Sequence, residues 1–160
     1  MVIRLTAALL ALCFCVSVTH ALDEPKPDPD KYPQDTPEKA LSTMAKVLEA
    51  EDYAYWFTWV VTPDSTRRTL EKYKTLEAAV NASKTEEPKV KGRVSTLEVI
   101  KKLQANKKTE EGVDDQTKTP FFRFLLEDKS FMQFEKQSGG RWCFNPRART
   151  AKTPETPPAK

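Results

Sequence analysis

Hydrophobic positions along the chain fall into two regimes. From Thr36 to Leu103 they recur at three- and four-residue spacing, and from Pro120 onward they fall in short, aromatic-rich runs. Ala40, Leu41, Met44, Val47 and Leu48 trace one face of a helix. Thr36-Pro37-Glu38 opens it: threonine caps free N–H groups, proline suits the first position, and glutamate complements the helix dipole. Glu51-Asp52 marks a break. The run from Tyr53 to Val61 alternates too poorly for a strand and reads as a short, deeply packed helix. Tyr53, Trp56, Phe57 and Val60 would share one face, and Tyr55 and Trp59 another.

Thr62-Pro63-Asp64 repeats the opening signal and predicts a longer helix from about Asp64 to Ala82. Leu70, Tyr73, Leu76 or Glu77, and Val80 are its buried stripe. Arg67 and Glu71 stand four apart on its surface. Pro88 and Gly92 predict a loop. The capping box Ser95-Thr96-Leu97-Glu98 opens a fourth helix, with Val94, Leu97, Ile100 and Leu103 inward. Asn106 to Lys118 is polar and reads as a long loop or a frayed strand. Phe121–Leu126 and Phe131–Phe134, split by Asp128-Lys129, read as a β-hairpin. Phe122, Phe124 and Leu126 would share one face, as would Met132 and Phe134 on the partner strand. Ser138-Gly139-Gly140 is a second turn. Arg141–Phe144 is the last strand, with Trp142 and Phe144 on one side. The predicted fold class is α+β: N-terminal helices packed on a small curved antiparallel sheet formed by the C-terminal third.

The two ends differ from this middle. Arg4, the uncharged run Leu5–Val18 and the small residues of Thr19-His20-Ala21 make up a secretory signal, cleaved after about Ala21. The run is shorter than the ~20 residues a spanning helix needs, so no membrane span is expected once residues 1–21 are removed. Residues 22–35, with Pro25, Pro27, Pro29 and Pro33, read as a Pro-rich linker. Residues 146–160, with Pro154, Pro157 and Pro158, read as a disordered Pro-rich tail. One α+β domain, 36–145, lies between them. The expected location is secreted or periplasmic.

Export removes chemistry as well as residues. The only histidine, His20, and two of three cysteines leave with the signal, so the mature chain has no histidine and a single thiol, Cys143. That excludes Ser-His-Asp and Cys-His nucleophile systems, zinc sites and any intramolecular disulfide. No cofactor, metal or catalytic residue is assigned. The whole chain carries a net charge of +3 and Arg4 is the only charge in 1–21, which leaves +2 on the mature chain. Acidic residues intersperse with Lys101-Lys102, Lys107-Lys108, Arg141, Arg147 and Arg149, so these cations read as a solvated surface and no nucleic-acid partner is expected.

Thr36-Pro37-Glu38-Lys39-Ala40-Leu41 with Ala50-Glu51-Asp52-Tyr53, and Gly139-Gly140-Arg141-Trp142-Cys143-Phe144, bracket nearly all of the predicted domain. The first pair resembles the opening helix, and the second segment the final strand, of secreted cone-shaped domains. These belong to the nuclear-transport-factor-two-like, SnoaL-like and cystatin-like superfamily. The resemblance implies a curved antiparallel sheet wrapped around helices, often enclosing an apolar pocket. Helices are predicted between Ala54 and Gln116 where that group has strands, and no catalytic residue carries over.

The aromatic concentration is the one candidate site. Tyr53, Tyr55, Trp56, Trp59, Phe122, Phe124 and Trp142 would line a pocket for an apolar ligand, or else form the core of a small domain. The leading expectation is an exported non-enzymatic domain that binds a small apolar ligand or a protein partner, with a homodimer among the options. A hydrolase or isomerase using Asp, Glu or Tyr is one alternative, and a structural envelope interaction module is another. Asn81-Ala82-Ser83 fits the N-glycosylation pattern.

Overall fold

The computed structural model describes residues 24–106 and 108–148; the predicted signal segment and the tail from 149 lie outside the described residues. Within them, five α-helices and one π turn precede a four-stranded antiparallel sheet, so the chain is α+β with its helices N-terminal. Helix α1 is Pro37–Glu49, and the Thr36 hydroxyl accepts from the Lys39 amide as its cap. Its stripe of Ala40, Leu41, Met44, Val47 and Leu48 is buried as the spacing predicts. Glu51 takes a left-handed φ of 53° and breaks the chain before α2 (Tyr53–Tyr55). The π turn Trp56–Val60 continues α2, so the aromatic run is helical.

The long helix expected over Asp64–Ala82 is two helices, α3 (Pro63–Tyr73) and α4 (Leu76–Thr85). Lys74 takes a φ of 69°, and the Thr75 hydroxyl caps α4 by accepting from the Ala78 amide. Helix α5 runs Glu87–Ala105, and the Ser95 capping box lies inside it rather than opening it. Pro88 sits in its first turn, where a missing N–H costs nothing. Gly92 is carried as an ordinary helical position. Val94, expected inward, is exposed, while Ile100 and Leu103 reach the core, because nine residues at about 3.6 per turn place Val94 on the side of the helix opposite Leu103.

The strands are β1 (Thr109–Val113), β2 (Pro120–Leu125), β3 (Phe131–Lys136) and β4 (Trp142–Asn145), paired in that order. The polar stretch after α5 therefore contributes an edge strand. Pairing Phe122 with Phe134, Phe124 with Met132, and Phe134 with Phe144 puts one aromatic row on the face toward the helices. Phe134 is fully buried there with Met44, Ile100 and Leu103. Gly140 closes the β3–β4 turn at a φ of 80°, a conformation that glycine adopts without the Cβ clash.

The segment before Thr36 is not a free linker. Tyr32 is 4% exposed and Gln34 6%, and Tyr32 belongs to the core. The Gln34 carbonyl accepts from the Trp142 amide, and its side-chain amide donates to the carbonyls of Trp59 and Trp142. On the same side the Thr62 amide donates to the Phe144 carbonyl, and Val61 bridges to Phe144. The free flank of β4 is thus closed by two other parts of the chain. Composition suggests a linker because prolines build no core, but one tyrosine and one glutamine are enough to anchor the segment.

Candidate functional site

The seven aromatic residues singled out in the sequence divide among three places. Phe122, Phe124 and Trp142 pack on the helix-facing side of the sheet, with Phe122 5.1 Å from Phe124 and 6.3 Å from Trp142 between ring centroids. Phe124 meets Phe134 edge-on at 5.7 Å. Phe124 is core, and Phe122 and Trp142 are partly buried against it. Tyr55 and Trp59 lie beneath the N-terminal Pro-rich segment: the Trp59 indole N–H donates to the Pro25 carbonyl, and the Asp28 amide reaches the Tyr55 hydroxyl at 3.5 Å. Tyr53 and Trp56 line a third location, a cleft of about 230 Å³ between the π turn and α5.

Five elements build that cleft, Ser83 of α4 among its lining residues. Leu48 at the end of α1, Tyr53 of α2, and Trp56 and Phe57 of the π turn form its apolar wall. Lys89, Gly92 and Arg93 on α5 form the opposite side. A π turn closes its hydrogen bond over five residues instead of four, as the Val61 amide does on the Trp56 carbonyl, which re-aims the side chains that follow it. The break at Glu51 lets its carboxylate ion-pair with Arg93, so the guanidinium is held at the rim. Gly92 leaves open space where a Cβ would stand.

Tyr53 is the unusual member. Its side chain is 5% exposed, its hydroxyl oxygen is closed to solvent, and no group meets it at full hydrogen-bond geometry, although the Arg93 guanidinium is near enough to act on it. Burial pushes its pKa above the usual tyrosine value, and the nearby Arg93 cation offsets this only in part. The group is therefore a neutral O–H at ordinary pH. A buried donor left unpaired costs about 1–3 kcal/mol. The cleft thus joins a short apolar wall to a cation held by Glu51, with the Tyr53 hydroxyl buried just behind them.

The outward face of the sheet holds a polar row that satisfies itself. The Arg123 guanidinium is sandwiched between the Phe121 and Phe131 rings, at 4.3 and 4.5 Å from their centroids. It donates to Gln133 at 2.8 Å and to Glu110 at 3.2 Å. Glu135 in turn accepts from the side-chain amides of Gln133 and Asn145. The charges pair within the row, which leaves no carboxylate there without a partner. Arg147 stands 4.0 Å from Asp64, and the Arg141 guanidinium lies 4.5 Å above the Trp59 ring. These cations are dispersed rather than gathered into a patch. Cys143 is fully buried, and burial pushes its thiol pKa up, which makes it a poor nucleophile. Among the described residues no group of three His, Cys, Asp or Glu side chains is placed to hold a metal ion, and no helix is long and apolar enough to cross a membrane.

Compared with protein-family models, curated proteins and solved structures, the chain matches none. Sequence reasoning finds Tyr53 and Trp56 but misses Arg93 and Gly92, because Pro88 and Gly92 suggest a loop where α5 runs. It also misses Tyr32, hidden among prolines.

Proposed function

We propose that the chain is an exported, non-enzymatic binding domain that takes a small carboxylate with an apolar body in the cleft between the π turn and α5. The single observation that carries this reading is the buried, unpartnered Tyr53 hydroxyl in an apolar-walled cleft beside a guanidinium. A ligand oxygen admitted to the buried hydroxyl would satisfy it, and Arg93, although paired with Glu51, would favour that oxygen being anionic. Size supports a small ligand: a cavity near 150 Å³ holds benzene, and about 230 Å³ holds a ring plus its head group. The raised Tyr53 pKa favours a neutral donor over a catalytic base. The N-terminal charged, apolar and small-residue succession supports export. The resemblance to cone-shaped secreted domains supports a binding role, although here the helix-facing side of the sheet is filled by Phe124 and Phe134.

The test uses the mature chain, Leu22 to Lys160, and three probes: benzoate, hexanoate and uncharged benzyl alcohol. The carboxylates should raise the melting temperature in step with the logarithm of their concentration, adding about 2.7 kcal/mol of stability at a hundredfold excess over Kd, and benzyl alcohol should not. Tyr53→Phe should weaken benzoate about tenfold, the effect of losing one hydrogen bond to a charged group. Equal stabilisation by acid and alcohol, or unchanged benzoate affinity in Tyr53→Phe, would overturn the proposal.

A further inference from the structure

Gly92 stands where a helix has no use for a glycine. It lies in the interior of α5, and in such a place only proline is a poorer helix former. A glycine there is ordinarily kept for a backbone angle or for close packing. Gly92 serves neither. Its φ is not in the left-handed region. Nothing lies within 4 Å of the place its Cβ would take, so no other part of the chain needs the room.

What borders that room is the Tyr53 cleft. Lys89, Gly92, Arg93 and Thr96 all line it, and positions three and four apart share one helix face. Gly92 comes three residues after Lys89 and four before Thr96, in the middle of that row. With no side chain at this position, the wall opposite Trp56 and Phe57 is bare backbone.

The polar groups of the cleft limit what a ligand must bring. The Ser83 hydroxyl donates to the Ala79 carbonyl at 2.9 Å, and the Thr96 hydroxyl donates to the Gly92 carbonyl at 2.7 Å. Both protons are thus committed within their own helices, and the bare stretch of α5 offers contact area rather than a free carbonyl. Arg93 is paired with Glu51. The Lys89 ammonium lies 5.9 Å from the Tyr73 ring centroid and pairs with no carboxylate among the described residues. Two cations, Lys89 and Arg93, against one carboxylate, Glu51, leave a single positive charge at the cleft, which matches a monoanion.

We propose that Gly92 is the specificity-determining residue of this cleft, and that the ligands it selects are planar aromatic monocarboxylates. The proposal rests on the reading of the Tyr53 cleft as a carboxylate site and names the class within it. An aromatic ring is one carbon layer thick, on the order of 3.5 Å at contact, and fits between bare backbone and the aromatic wall. Contact with Trp56 or Phe57 adds to its area burial. A saturated ring is puckered and carries hydrogens on both faces, so it needs a wider slot. A side chain at position 92 narrows the slot for either.

The experiment is a calorimetric titration of the mature chain, Leu22 to Lys160, with benzoate and with cyclohexanecarboxylate. The two acids share a head group and a six-membered ring and differ in flatness. The unsubstituted chain should bind benzoate about tenfold more tightly. Gly92→Ala should weaken benzoate about tenfold, the scale of one misplaced methyl group in a fitted pocket, although its urea midpoint rises. Val94→Ala is the control. It also favours the helix, but Val94 is exposed and is not part of the cleft wall, so both affinities should stay as they are. Failure of the unsubstituted chain to bind either acid saturably would overturn the cleft reading and this proposal together. Benzoate affinity unchanged in Gly92→Ala, or equal affinity for the two acids in the unsubstituted chain, would overturn this proposal alone. An equal loss in Val94→Ala and Gly92→Ala would also overturn it, and would trace the effect to the stability of α5 instead of to room in the cleft.

Discussion

Replacing Tyr53 by phenylalanine should make the ligand-free protein more stable. The ring of Tyr53 is buried against the core, and phenylalanine keeps that burial. Only the hydroxyl is lost, and it has no partner. Its desolvation penalty is about 1–3 kcal/mol. The Arg93 cation recovers part of that by acting on the hydroxyl dipole, so the lower end of the range is expected, a gain of about 1 kcal/mol. In urea, with a slope near 2 kcal/mol per molar, the midpoint should rise by roughly 0.5 M at unchanged slope. In a thermal scan the same gain is worth about 4 °C for a domain of this size. Far-ultraviolet circular dichroism and tryptophan fluorescence should report one coincident transition. A midpoint lowered by a similar amount would refute the reasoning, because the hydroxyl would then have a partner in the free protein. A stabilised variant that has also lost benzoate would identify Tyr53 as a residue kept for binding at the expense of stability.

Two further outcomes concern a cleft-lining glycine and the buried thiol rather than the Tyr53 hydroxyl. Gly92 lies in the interior of α5, exposed, with nothing within 4 Å of the place a Cβ would take; Gly92→Ala should therefore stabilise by about 1 kcal/mol, read as a higher urea midpoint, and a lower one would refute the assigned helix. The Cys143 thiol has a folded pKa raised by burial, so the unfolded chain loses this proton first; stability should be level below about pH 8.5 and fall above it by at most ~1.4 kcal/mol per pH unit. Tyr53 and Tyr55, raised in the same direction by burial, steepen that loss above about pH 10. Cys143→Ala should flatten urea midpoints between about pH 8 and 9.5, and a wild-type profile already flat there would count against the buried thiol.

The parts of the fold that are legible in the sequence are those whose signals are local and periodic. Thr36-Pro37-Glu38 and the stripe after it specify α1, and the alternation of Phe122, Phe124, Met132 and Phe134 specifies the hairpin and its inward face. The break between α3 and α4 is hidden because Lys74 takes a left-handed φ with no glycine or asparagine to announce it. Thr75, its cap, is the one available signal. Helix α5 looks shorter in sequence than in the fold because Pro88 and Gly92 resemble punctuation, although proline is welcome in a first turn. The candidate site is half visible for a related reason. Tyr53 and Trp56 stand out by type, whereas Arg93 gains its meaning only from Glu51, 42 positions earlier. Tyr32 and Gln34 owe their burial to contacts with Asp52, Trp59 and Trp142, which no spacing rule reports.

The closure of β4 by Gln34 and Thr62 bears on how copies of this chain can meet. A sheet with two bare edges can recruit strands at both, and head-to-tail addition then grows into fibres. Here one edge is already taken, so among the described residues only β1 can accept another strand without the fold opening. Two β1 strands that join each other use up the last free edge on both chains. Such an association stops at two, related by a two-fold axis, and Glu110 and Glu111 on that strand set an electrostatic cost against even this step.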